Sequence, residues 1–135
     1  MNRVRIAAVT GTSAVAIALA LGVAPIASAA PAKAAVSACV TDLQAAQNSN
    51  NAAIAADQAN NTNAARTQNL ATTTSLLSAA VDCLGQPSTV TANVLTATTS
   101  NLSATVFNVL GASAAALNAE QSTAAALTAA LANAS

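Results

Sequence analysis

Few side chains in this chain could do chemistry. Cys39 and Cys83 are its two cysteines, Asp42, Asp57, Asp82 and Glu120 its acids, and Lys33 and Arg66 its bases beyond Arg3 and Arg5; it has no His. Imidazole acid–base catalysis, His triads and His metal ligation are therefore excluded. Four Lys/Arg cannot neutralise a phosphate backbone, and Phe107 as the one aromatic offers no stacking platform, so nucleic acid is not an expected partner. No Gly-rich phosphate loop, nucleophile elbow or zinc spacing occurs. The expectation is a protein with no cofactor, no metal and no catalytic site.

The acids allow two weaker readings. Asp42 and Asp82 lie within a turn of Cys39 and Cys83 and suggest at most a poor cation site, since calcium takes roughly six to eight oxygens; solvated surface acids are expected. Glu120 falls on or beside a helical stripe with Ser113 and Leu127. There it could be an acid in a dry pocket, but a stripe edge reaching water is expected.

The N-terminal residues read as an address. Arg3 and Arg5 head an apolar stretch whose core is Ala14 to Val23, Pro25 breaks it, and Ala27-Ser28-Ala29 is a small-x-small site. This is the order of a secretory signal peptide. Cleavage is expected between Ala29 and Ala30, dividing the chain into a signal peptide at 1–29 and one Ala-rich helical domain at 30–135. Nothing after the cleavage site is apolar and long enough to span a membrane. The exported protein is expected to be extracellular or associated with the cell envelope.

In an exported chain a lone pair of cysteines is expected to form a disulfide. The elements around them agree. Asn60-Asn61-Thr62-Asn63, Gly85-Gln86-Pro87-Ser88 and Gly111-Ala112-Ser113 punctuate an Ala-rich sequence, with turn formers and a proline that cannot continue a helix. Helices are expected near 33–59, 64–84, 89–110 and 113–133, with Ser88 able to cap the third; since one Gly can sit inside a helix at a cost of about 1 kcal/mol, the alternative is that the last two run as one rod through Gly111. The midpoint between the cysteines is position 61, inside the Asn-rich turn. An antiparallel hairpin turning there would bring Cys39 opposite Cys83 and could pair Asp57 with Arg66. A rival reading takes Val36-Ser37-Ala38-Cys39, which resembles a bacterial lipobox, as a lipid-anchoring site. Lys33 and Pro31 separate it from the apolar core that should directly precede such a site.

Apolar periodicity supports helix. Leu70, Leu77 and Leu84 are spaced by seven with Thr74 and Val81 between them. Leu95, Leu102 and Val109 repeat the spacing beside Thr91, Thr98 and Thr105. That threonine row could be a flat hydroxyl face, but an interface tolerant of small residues is expected. After Gly111 the stripe is Leu117, Ala124 and Leu131, with Leu127. The first segment is vaguer, with Val36, Val40, Leu43 and Ile54. The fold expected is all-α, a small up-down bundle of two helical hairpins, the first clamped by Cys39–Cys83.

With 54% apolar and 6% charged residues, the composition resembles that of small Ala- and Thr-rich exported bacterial proteins. The expected function is that of a secreted, non-catalytic helical protein that presents a surface to itself, the envelope or another protein. An extracellular carrier of a lipid or other apolar ligand is the alternative, and a lipoprotein anchored through Cys39 a further one. An apolar cavity between the hairpins would mark the carrier. A closed Ala-packed core with an exposed apolar stripe would mark the surface protein.

Overall fold

The computed structural model describes residues 32–135; the expected cleavage site at Ala27, Ala29 and Ala30 lies outside them. Four helices follow in order: α1 at Ala32–Gln58, α2 at Thr62–Asp82, α3 at Ser88–Val109 and α4 at Ser113–Asn133. The pairs α1–α2, α2–α3, α3–α4 and α1–α4 pack against one another, closing an up-down bundle. No described helix is long and apolar enough to cross a membrane.

The turns are built as their residues dictate. Asn60 and Gly111 both adopt left-handed backbone, with φ of 57° and 72°. Each ends its helix in the same way. The N–H groups of Asn60 and Asn61 donate to the carbonyls of Asp57 and Ala56, and those of Gly111 and Ala112 donate to Asn108 and Phe107. This is the Schellman arrangement, in which a residue free to take positive φ satisfies the last carbonyls of a helix. Asn61 Oδ1 then accepts from the Ala64 N–H at 3.1 Å and caps α2. At the start of α3 the expected cap differs: Pro87 occupies the cap position and no side chain caps the helix. The fixed φ of proline replaces the hydroxyl as the entry device.

Cys39 and Cys83 form a disulfide with their Cα atoms 4.7 Å apart, tying the first part of α1 to the residue that ends α2. Both cysteines are fully buried. The bridge closes a separation of 44 residues, which in the chain-entropy model stabilises by about 4 kcal/mol.

The inward positions alternate by four and three residues in every helix: 39, 43, 46, 50, 53, 57 in α1; 65, 69, 72, 76, 79, 83 from α2; 90, 94, 97, 101, 104, 108 in α3; 116, 120, 123, 127, 130 in α4. This is the inward repeat of coiled coils. It does not run along the leucine rows. Leu70, Leu77, Leu95, Leu102 and Val109 are all at least half exposed, and on α4 the buried row is Ala116, Thr123 and Ala130 with Leu127, while Leu117, Ala124 and Leu131 flank it. On α1 it is Cys39, Leu43 and Ala46 rather than Val36, Val40 and Ile54. The spacing of seven holds, but one residue away from the large side chains. Alanine at these positions lets the helices approach closely, and two leucines on α2 and α4, Leu76 and Leu127, fill the remaining width with Leu43 from α1.

The two hairpins are copies of one pattern. Shifting by the separation of 51 residues that divides Asp57 from Asn108 and Asn69 from Glu120 superposes Asn50 on Asn101, Ala53 on Ala104, Thr72 on Thr123, Leu76 on Leu127 and Asn60 on Gly111. The disulfide has no counterpart, because Val90 and Ala134 stand at the equivalent positions. The bundle is thus pseudo-two-fold, cross-linked in one half only.

Candidate functional site

The interior divides along the bundle axis. Around the disulfide it is apolar, with Leu43, Leu76, Val90, Val94 and Leu127. Toward the two Schellman turns it is polar, with Asn50, Asp57, Asn69, Asn101, Asn108 and Glu120 all buried. Asn108 Nδ2 on α3 donates to Asp57 Oδ2 on α1 at 2.8 Å, and Asn69 Nδ2 on α2 donates to Glu120 Oε1 on α4 at 2.9 Å. These bonds span the two diagonals of the bundle. Asn108 Nδ2 also reaches Glu120 Oε1 at 3.4 Å, joining them. Asn50 Nδ2 donates to the backbone carbonyl of Glu120 at 2.9 Å and, by the pseudo-two-fold, Asn101 Nδ2 donates to that of Asn69 at 3.0 Å.

Glu120 is fully buried, which corrects the expectation of a stripe edge reaching water: its position is an inward one of the repeat. Burial pushes its carboxyl up from 4.5 to about 7; the amide bond from Asn69 opposes this, while the neighbouring Asp57 carboxylate adds to it. Glu120 Oε2 and Asp57 Oδ1 are both buried without a hydrogen-bond partner. Asp57 does not pair with Arg66 across the turn. It points inward to Asn108, while Arg66 stays exposed.

Asp42 and Asp82 come together on the α1–α2 side beside the disulfide. They are half-buried, not freely solvated as expected, because both face the seam between two closely packed helices. Burial raises Asp42 from 3.8 to about 6, helped by a hydrogen bond to Asp82 and by its charge. Among the described residues no group of three or more His, Cys, Asp or Glu is placed to hold a metal.

The polar layers specify register. An Ala-rich core slides by a repeat at little cost in packing. Sliding these helices would strand buried carboxyls and amides, each costing about 1–3 kcal/mol or more when unpaired. A buried polar residue at an inward position is the best-attested device for fixing alignment in coiled coils.

The second feature is external. Leu70 and Leu77 lie about 130° around α2 from its inward direction, and Leu95 and Leu102 lie at the same angle on α3, at about 100° per residue. On both helices this angle leans toward the other, on the side where Thr73 of α2 meets Asn101 of α3. The leucines, 50–68% exposed, therefore share one outer face, continued by Val106 and Val109. A shallow depression lined by Thr99, Leu102, Ser103, Val106 and Phe107 opens beside it on the outside of α3, not between the hairpins. The threonine row at 91, 98 and 105 is half-buried, and each hydroxyl donates to a carbonyl of its own helix, as suits an interface of small residues.

Compared with known protein families, curated proteins and solved structures, the chain matches none of them.

Proposed function

We propose that the protein is a secreted, non-catalytic helical protein that acts by presenting the α2–α3 face, at the cell envelope or to a protein surface. The observation that carries this reading is the row of exposed Leu70, Leu77, Leu95 and Leu102 over a core packed from alanine. Monomeric proteins bury leucine before alanine, and a contiguous apolar surface marks an interaction site. The carboxyl with the most perturbed proton affinity, Glu120, is sealed from solvent, which favours a structural over a catalytic role. The disulfide supports export. It also engages the thiol that anchoring through Cys39 would need, and so counts against the lipoprotein reading.

The test is fractionation of the exporting cell. Wild type is expected in the envelope fraction or in a multi-chain species. The variant Leu77→Gln/Leu95→Gln, with unchanged helix content, is expected free in the medium as a single chain. Identical partition of the two would overturn the reading.

A further inference from the structure

The pseudo-two-fold supplies an internal control for the apolar face. The α1–α4 face is built by the same two helices of the repeat, in the same geometry. At the positions equivalent to Leu70, Leu77, Leu95 and Leu102 it carries Gln121, Thr128, Gln44 and Asn51, all exposed. The scaffold therefore accommodates a polar face at these positions, and apolar residues occupy only one of the two copies. Nothing in the folding of the bundle asks for leucine there.

We propose that this α2–α3 face pairs with the same face of a second copy of the chain, forming a two-fold dimer. The inference rests on the reading of the face as the functional surface and names its occupant. Four observations select a second copy. The exposed parts of the four leucines, Val106 and Val109 amount to roughly 650 Å², within the roughly 600–1,000 Å² that each partner gives to a standard interface. The face is self-complementary: α2 and α3 are antiparallel with Asn101 opposite Asn69 and Thr73, so Leu70 stands level with Leu102 and Leu77 with Leu95. A local two-fold axis relates these pairs, and a copy laid face to face meets the same knobs at the same spacing, as an isologous interface requires. The hydroxyls of the face are already spent. Thr74, Thr98, Thr99 and Thr105 each donate to a carbonyl of their own helix, so covering them strands no donor. Finally, among the described residues Arg66 at the rim is the single charge beside the face. An anionic lipid surface selects for clustered Lys/Arg with aromatic anchors, and a partner recognised by charge needs more than one.

The test is the mass of the purified exported protein in solution from about 1 to 100 μM, the range of ordinary self-association constants. Two variants accompany it. Leu77→Glu/Leu95→Glu charges the apolar face, and Thr128→Glu/Gln44→Glu places the same charges at the equivalent positions of the polar face. Wild type and the polar-face variant are expected at the two-chain mass, and the apolar-face variant at the single-chain mass with unchanged helical circular dichroism. Should the Glu pair cost helix, Leu77→Gln/Leu95→Gln gives the same readout. A single-chain wild type at the highest concentration overturns the dimer, as does a two-chain apolar-face variant. If wild type is single-chain while its envelope retention still depends on Leu77 and Leu95, the dimer falls and the surface reading stands. If retention is also indifferent to them, both fall.

Discussion

Asn108 and Asp57 come from helices on opposite corners of the bundle, yet the amide of one donates to the carboxyl of the other at 2.8 Å. The same amide reaches Glu120, so the two acids meet at the centre of a bundle whose bases among the described residues, Lys33 and Arg66, are both on the surface. A proton takes the place of a counter-charge. This inverts the usual relation between acidity and stability.

Glu120 has its folded pKa raised from 4.5 to about 7 and Asp42 from 3.8 to about 6. The folded state therefore binds these protons more tightly than the unfolded chain does. The stability they confer is complete below the unfolded values and is lost as pH rises through about 6 and about 7. Thermal melts are expected to show a higher Tm near pH 4.5 than near pH 8, and Glu120→Gln is expected to remove most of the difference. A Tm that rises from acid to neutral pH would contradict the raised proton affinity of buried Glu120.

The buried amides are not equivalent. The Oδ1 of Asn69 and that of Asn101 both lack a hydrogen-bond partner, so the two differ in what their Nδ2 serves: that of Asn101 donates to the Asn69 carbonyl and to Thr73 Oγ1, and that carbonyl also accepts from Thr73 Oγ1 at 3.0 Å. Asn101→Leu is expected to raise stability by about 1 kcal/mol, or roughly 4–8 °C in Tm. Asn69 instead donates to the Glu120 carboxyl, and Asn69→Leu is expected to cost about 2–3 kcal/mol. Urea unfolding of the two variants checks the order, and a reversed order would count against the network.

Because the cross-link clamps one hairpin only, its loss acts on one half of the bundle. Cys39→Ser/Cys83→Ser under oxidising conditions is expected to lose about 2–5 kcal/mol. Hydrogen exchange is expected to quicken most along the first part of α1 and the end of α2. An unchanged melt would mean that alanine packing alone carries the fold.

Export is checked by intact mass of the extracellular protein, for which Ala30 is the expected first residue. A diacylglyceryl-modified Cys39 at the N-terminus would contradict both the cleavage site and the disulfide.

The helices, their breaks and the disulfide were legible because glycine, asparagine and proline punctuate an Ala-rich chain and because one turn sits midway between two cysteines. The core was not. Leu70 and Leu77 announce a row of seven, but the buried residues are their neighbours Asn69 and Leu76; likewise Val94 and Asn101 are buried beside exposed Leu95 and Leu102. Weighting residues by apolar size points to the wrong phase when the core is built from alanine and amides. The buried acids were hidden by the same bias. The duplicated hairpin is faint in the sequence because most of its identities, such as Asn50 with Asn101 and Thr72 with Thr123, fall at inward positions. A comparison of the chain with itself at a shift of 51 residues would have found them.

Leu76 and Leu77 test the account most directly, because they are adjacent, chemically identical and assigned opposite roles. Leu76 is fully buried and Leu77 is 60% exposed. In dilute protein, where association does not contribute, Leu76→Ala is expected to cost about 2–5 kcal/mol of unfolding free energy. Leu77→Ala is expected to cost at most about 0.5 kcal/mol. A larger loss from Leu77→Ala than from Leu76→Ala would place the leucine row in the core and remove the apolar face on which the proposed function rests.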